Sequence, residues 1–199
     1  MIVTFSGPDG VGKSTHLMSL SCLFRQKGID HDILYVRGLA TPLTCLYRKW
    51  FGRWGKEQSV RDWILRIGLD LTTIEMMYLW GVKLRWMEKK HRVILCDRYI
   101  WDTEADFTAR FQNWNPRSFL WKLLKKTIPK PGVSILFTAP TEQIAQQLCQ
   151  KKEQPLIHEI QIQQDLYSTM ASEFRFVVDT SASKDEIYGE ILRGLEKKR

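Results

Sequence analysis

The sequence predicts a three-layer α/β domain, a parallel sheet with helices on both faces, and three observations lead there. Five short apolar runs recur along the chain, at Ile2-Val3-Thr4-Phe5, Ile33-Leu34-Tyr35-Val36, Val93-Ile94-Leu95-Cys96, Ser134-Ile135-Leu136-Phe137 and Phe174-Arg175-Phe176-Val177-Val178. Runs of that length without polar alternation mark strands buried on both faces. Helical periodicity fills the intervals between them, and no stretch repeats or is low in complexity. In such a fold, ligands are expected at the carboxyl ends of the strands.

Taken in order, the first run is β-branched and aromatic, as a short buried strand should be. It leads into Gly7-Pro8-Asp9-Gly10-Val11-Gly12-Lys13-Ser14-Thr15, which reads G-x-x-x-x-G-K-S. After the loop, Leu17, Leu20 and Phe24 fall at three- and four-residue steps on one helix face, and Gly28 supplies a stop. The second strand ends at Arg37-Gly38. A long helical region follows from about Ser59 to Lys90, with Ile64, Ile67, Leu71, Ile74 and Tyr78 on one face. Ser183-Lys184-Asp185-Glu186 has capping-box spacing and is expected to start a C-terminal helix.

The loop has the residue types that grip phosphate, between a strand and a helix as that chemistry requires. Gly7, Gly10 and Gly12 allow close backbone approach, and the N–H groups of the loop and helix start then point at phosphate oxygens. Lys13 reaches the β- and γ-phosphates, and the Ser14 hydroxyl is a natural Mg²⁺ ligand. A second signal is Asp97-Arg98-Tyr99, directly after the third strand. There Asp97 could hold Mg²⁺ or its bound water, and Arg98 could offer a fork to phosphate. The sequence thus predicts a nucleoside triphosphate site.

Composition sets bounds on this reading. The chain has 199 residues, an apolar fraction of 44% and a net charge of +8. The length suits a single domain, 1–199, and the charge favours polyanionic ligands, whether nucleotide, nucleic acid or anionic membrane. No apolar run reaches the roughly 18 residues of a membrane span, and the chain runs straight into a strand, so a cytoplasmic protein is expected. Cys22, Cys45, Cys96 and Cys149 are scattered without a C-x-x-C pair, which predicts reduced thiols. His16, His31, His91 and His158 have no ligand spacing, and His16 reads as a helix side chain rather than a base. Basic and aromatic residues interleave from Arg48 to Lys56. That pattern can suit a lipid surface or stacked bases, but the simpler account packs the tryptophans on a neighbour and leaves the cations wet.

On these residues the chain resembles the thymidylate kinase family of nucleoside monophosphate kinases over nearly its full length. The likeness rests on Gly7 to Thr15, Arg37 with Thr41-Pro42-Leu43, Asp97-Arg98-Tyr99, Asp165-Leu166-Tyr167 and Val178-Asp179-Thr180-Ser181. The resemblance implies a P-loop NTPase fold with strand order 2-3-1-4-5, a short lid at about 147–157, and a homodimer formed through helices. It implies that the loop (Gly7, Asp9, Gly10, Val11, Gly12, Lys13, Ser14, Thr15) and the Asp179–Ser181 segment bind ATP, with Mg²⁺ on Ser14 and Asp97. Asp9 would face the sugar of the acceptor, and Arg37 and Arg98 would hold its phosphate. The acceptor is then a nucleoside monophosphate, and no stable nucleic-acid or membrane partner is expected.

The chain also departs from the family. A gap-free count back from Asp97-Arg98-Tyr99 puts Thr72 and Met76 where relatives read thymine with an aromatic residue and an arginine. The family's Ser-Ser-x-Ala-Tyr-Gln becomes Asp102-Thr103-Glu104-Ala105-Asp106-Phe107, which would line the acceptor pocket with three carboxylates. Asp102 and Asp106 are therefore candidate acceptor-binding residues. The lid offers Gln147, Lys151 and Lys152 in place of arginines, and a lysine neutralises charge without the planar fork. Base preference is accordingly open. Two other readings remain: a P-loop kinase of a sugar, lipid-linked or other hydroxyl acceptor, and a nucleotide-binding regulator without transferase activity.

Overall fold

In a computed structural model of the chain, residues 1–35, 58–110, 114–115, 118–150, 157–180 and 188–189 are described, with side chains only from 67 to 109 in the second stretch. The Arg48–Lys56 segment, Arg37, Cys45, Lys151, Lys152, Ser181 and the Ser183–Glu186 helix start lie outside these residues. The elements run β1 (Ile2–Ser6), α1 (Lys13–Gln26), β2 (His31–Tyr35), α2 (Gln58–Tyr78), a π-helical turn (Leu79–Lys83), α3 (Leu84–Lys90), β3 (Val93–Asp97), α4 (Ile100–Arg110), α5 (Phe119–Thr127), β4 (Val133–Thr138), α6 (Thr141–Gln150), α7 (Ile157–Thr169), a 3₁₀ turn (Ala171–Glu173) and β5 (Phe176–Asp179). The fold is α/β, built on an open five-stranded sheet in the order β2-β3-β1-β4-β5 with all pairs parallel.

The five expected strands are all present, with shifted ends. The largest shifts are two residues: β2 starts at His31, earlier than its apolar run, and β5 starts at Phe176, later than its own. The 3₁₀ turn takes the backbone there first: the Phe174 N–H donates to the Ala171 carbonyl, and the Arg175 N–H to Ser134. The chain is tied to β4 before the β5 ladder begins.

The contacts gather in two compact units, one of residues 1–36, 88–110 and 130–199, the other of 37–87 and 111–129. The first contains the sheet. All five residues of β1 are buried, because β1 has a parallel neighbour on each side and helices cover the layer. Leu17, Leu20 and Phe24 of α1 are fully buried and join Phe5, Ile135, Phe137 and Ile144 in one core. At roughly 25 cal/mol per Å² of apolar area removed from water, a face of this kind is what keeps α1 helical. Gly28 has φ +63° and ends the helix region as expected.

The second unit holds α2 and α5. Ser118 caps α5 by accepting from the Trp121 N–H, and Trp114 meets Trp121 edge to face at 5.1 Å. The expected apolar face of the long helix is corrected here. Ile74 and Tyr78 are 48% and 61% exposed, while Thr72, Thr73, Met76 and Trp80 are buried. The Thr72 and Thr73 hydroxyls donate to the Gly68 and Leu69 carbonyls within the helix, so burial leaves them satisfied and lets the buried face fall on Thr72, Thr73 and Met76. The π-helical turn begins only after Tyr78.

Candidate functional site

The site lies at the carboxyl ends of β1 and β3, within the sheet-bearing unit. Parallel pairing sets Phe5 opposite Asp97, so the chain leaving β1 at Gly7 and the chain leaving β3 at Arg98 emerge side by side. The Arg98 N–H donates to the Phe5 carbonyl at 3.0 Å and fastens the two exits together.

Backbone geometry builds the first half. Gly7 has φ +140°, and a Cβ there would lie 2.3 Å from the Phe137 carbonyl oxygen, so no side chain fits. Gly12 is the N-cap of α1 at φ +92°. A Cβ on Gly12 would meet nothing closer than His16 at 4.0 Å, so its requirement is conformational rather than spatial. No side chain caps α1, and its first turn carries no acidic residue. Such a helix start favours an anion from outside the chain. Val11 is buried in the core and anchors the loop, while Ser14 and Thr15 face outward. Lys13 is buried. Its ammonium donates to the Gly7 and Pro8 carbonyls at 2.5 and 2.7 Å and stands 4.0 Å from Asp9. Burial lowers its pKa, and Arg98 adds to that, against the opposing pull of Asp102, Asp9 and Asp97.

The Ser14 hydroxyl donates to Asp97 Oδ2 at 3.2 Å. The other oxygen, Asp97 Oδ1, is buried with no hydrogen-bond partner. A hydroxyl and a carboxylate with an unmatched oxygen are suitable donors for a hard cation. Among the described residues no group of three or more His, Cys, Asp and Glu is arranged to hold a metal. Mg²⁺ does not need one, because it usually takes one or two carboxylates and completes its shell with water and substrate phosphates.

Side chains build the second half. Arg98 has φ +78°, costly for a residue with a Cβ, and its guanidinium is forked between two carboxylates. Nη1 donates to Asp106 Oδ2 at 2.9 Å and Nη2 to Asp9 Oδ1. Burial works against the cation, but Asp9, Asp106 and Asp102 outweigh it and hold its pKa above the ordinary arginine value. Asp106 also accepts from Gln163 Nε2 at 2.8 Å.

Asp102 is 1% exposed and accepts from the Ser6 hydroxyl (2.7 Å), the Gly7 N–H (3.0 Å), the Tyr99 N–H (2.8 Å) and the Tyr167 hydroxyl (2.8 Å). Reaching back to the Tyr99 N–H is the reciprocal arm of a capping box at the start of α4. Protein donors thus occupy both oxygens. An acceptor hydrogen bond to Asp102 would have to displace one of them, and the residue serves the loop rather than an open pocket. Burial, then Asp102 and Asp106, raises the pKa of Tyr167 well above the ordinary tyrosine value.

The three carboxylates of α4 do not line one pocket. Asp102 and Asp106 share a face at i, i+4, whereas Glu104 is two residues from each and projects to the other side. Thr72 and Met76 are fully buried on α2, in the other unit. Asp179 is exposed at the end of β5, where the following Thr180 N–H donates to the Thr138 carbonyl. His16 stacks on Phe137 at 5.1 Å, a helix side chain as expected. Cys22, Cys96 and Cys149 are free thiols.

Sequence reasoning assigned no role to Gln163, Tyr167 or Ser6. Gln163 and Tyr167 lie 57 and 65 residues from their carboxylate partners. Tyr167 stands in the Asp165-Leu166-Tyr167 run that carries the resemblance, and the pair shares a four-residue step with Asp102 and Asp106, but neither signal names its partner.

No family model matches the chain, and no curated protein matches it significantly. No described helix is long and apolar enough to cross a membrane.

Proposed function

We propose that the chain is an ATP-dependent phosphotransferase of the P-loop kind, similar to thymidylate kinases, that transfers the γ-phosphoryl group of ATP to a nucleoside monophosphate whose base need not be thymine. One observation carries this. Asp97 Oδ1, buried and unmatched, stands beside Ser14 at the mouth of an uncapped helix, under a loop that holds a buried lysine. The strand order supports it.

In this reading, the loop N–H groups that follow Pro8 and those at the start of α1 hold the phosphates of ATP, while the Gly7 N–H stays on Asp102. Lys13, partly starved of solvation, gains a full counter-charge from the phosphate oxygens. Ser14 and Asp97 are the residues that would hold Mg²⁺, which when bound supplies neutralising charge between phosphates. Arg98 turns one arm of its fork from a carboxylate to the acceptor phosphate and sets it in line. Arg37, Lys151, Lys152 and the Asp179–Ser181 segment complete the reading as sequence expectations. The acceptor phosphate is already an anion at neutral pH, so no general base is needed, and catalysis is positioning and charge neutralisation. A cytoplasmic homodimer belongs to the same proposal.

A second reading rests on the two carboxylates that share Arg98. That surplus of negative charge suits an acceptor that donates hydrogen bonds, such as a sugar or another hydroxyl compound, with Asp9 as the base. ADP release measured with a panel of acceptors decides between them. Release stimulated by a nucleoside monophosphate supports the first reading, and release stimulated only by hydroxyl compounds supports the second. ATP binding with no stimulated release by any acceptor overturns both in favour of a nucleotide-binding regulator.

A further inference from the structure

Two helices of the sheet-bearing unit carry polar residues at the same spacing. On α4 these are Asp102 and Asp106, and on α7 they are Gln163 and Tyr167. Each carboxylate meets one partner: Tyr167 Oη donates to Asp102 Oδ1 and Gln163 Nε2 to Asp106 Oδ1, each at 2.8 Å. Side chains four residues apart lie on one helix face, so the two contacts form the rungs of a ladder between the helices. All four residues are buried, with exposures of 1%, 9%, 6% and 3% in the order Asp102, Asp106, Gln163, Tyr167.

The rungs do not end in the same place. Asp102 passes directly to the loop, accepting from the Gly7 N–H and the Ser6 hydroxyl. Asp106 passes to Arg98, whose other arm holds Asp9. One rung therefore terminates on the backbone that would hold ATP, and the other on the guanidinium that would hold the acceptor. We propose that α7 is a two-armed brace of the site: Tyr167, through Asp102, sets the Gly7 end of the loop, and Gln163, through Asp106, sets the Arg98 fork.

Each arm has a chemical reason to be specific. A carboxylate has about four acceptor positions, and Asp102 fills them with four donors, so removing the phenol leaves one buried lone pair open and lets the carboxylate turn away from Gly7. Asp106 accepts along different directions from Arg98 and Gln163, and loss of the amide frees it to rotate and carry the guanidinium with it. Gln163 and Tyr167 are positioning residues in this scheme. The kinetic consequences rest on the phosphotransferase reading, but the structural ones do not.

The test uses Tyr167→Phe and Gln163→Met, which nearly conserve volume and remove one donor each. Ser6-Gly7 is the only Ser–Gly pair in the sequence. Carbonyl-labelled serine with ¹⁵N-glycine therefore isolates the Gly7 amide in a single NMR signal. Tyr167→Phe is expected to shift that signal and speed its exchange with solvent, and Gln163→Met to leave it in place. In binding and kinetics, Tyr167→Phe should weaken ATP about five- to tenfold, the worth of one net hydrogen bond. Gln163→Met should raise the acceptor KM or lower kcat by a similar factor, with ATP affinity held within about twofold of the parent. An unmoved Gly7 signal in Tyr167→Phe overturns the brace, and so does an equal effect of both variants on both parameters. If Gly7 responds as expected but the parent binds no nucleotide, the brace stands and the phosphotransferase reading falls.

Discussion

The two halves of the candidate site are built from different materials. The half after β1 is backbone: a glycine without room for a methyl, an uncapped helix start, and a lysine held by carbonyls of its own loop. The half after β3 is side chain: a strained arginine held by carboxylates from the Gly7–Thr15 loop and from α4, one of which is held in turn by α7. A backbone site must use fixed residue types at fixed spacing, because only glycine tolerates its conformations and approaches. A side-chain site can be assembled from any elements the fold brings together, so the ligand it suits can change while the loop stays the same.

Substitutions at each half should test this contrast. The largest effect is expected from Arg98→Ala, which leaves Asp9 and Asp106 facing each other without their cation. Asp9 is 39% exposed and the Asp106 arm part-buried, so leaving these carboxylates without their cation costs about 1–3 kcal/mol, and this variant should lose stability in denaturant titration and turnover with it. The double variant Arg98→Ala/Asp106→Asn should recover part of the stability but not the activity. If the single variant is as stable as the parent, the fork is not what holds this half together.

Lys13→Ala comes next and acts on ligand rather than fold. ATP at 100 times its dissociation constant should stabilise the parent by about 2.7 kcal/mol and this variant by nothing measurable. An equal thermal shift in both would remove the loop from the nucleotide site. Gly7→Ala tests the backbone claim itself. Its methyl meets a carbonyl oxygen at 2.3 Å, and overpacking of this kind costs about 1–3 kcal/mol. Gly12→Ala meets no such contact, so it should cost less than Gly7→Ala.

The smallest effect is a slope. Tyr167 keeps its proton in the folded state beyond the ordinary tyrosine pKa of about 10, because burial and the neighbouring Asp102 and Asp106 disfavour the phenolate. Above that pH the unfolded chain releases a proton that the folded chain retains, so stability falls as pH rises. The parent should lose up to about 1.4 kcal/mol per pH unit more than Tyr167→Phe there, and the two curves should run parallel below pH ~9. Parallel curves at all pH values would mean that the phenol titrates freely.

Much of this molecule was legible from residue order alone. Strand identity, α1 with its buried Leu17, Leu20 and Phe24, and the neighbouring positions of Ser14 and Asp97 follow from local pattern, since each depends on residues close in sequence or on strand ends that parallel pairing aligns. Relations across long separations were settled by packing instead. Ile74 and Tyr78 are exposed while Thr72, Thr73 and Met76 are buried, an exchange of faces made tolerable by threonines that satisfy themselves within their helix. Asp102 reads as an open carboxylate in the sequence and is a saturated anchor in the fold, because its four donors come from β1, the loop, the start of α4 and α7. Asp106 reads the same way and is instead shared between Arg98 and Gln163. A carboxylate's role depends on which donors surround it, and packing brings most of those donors from elsewhere in the chain.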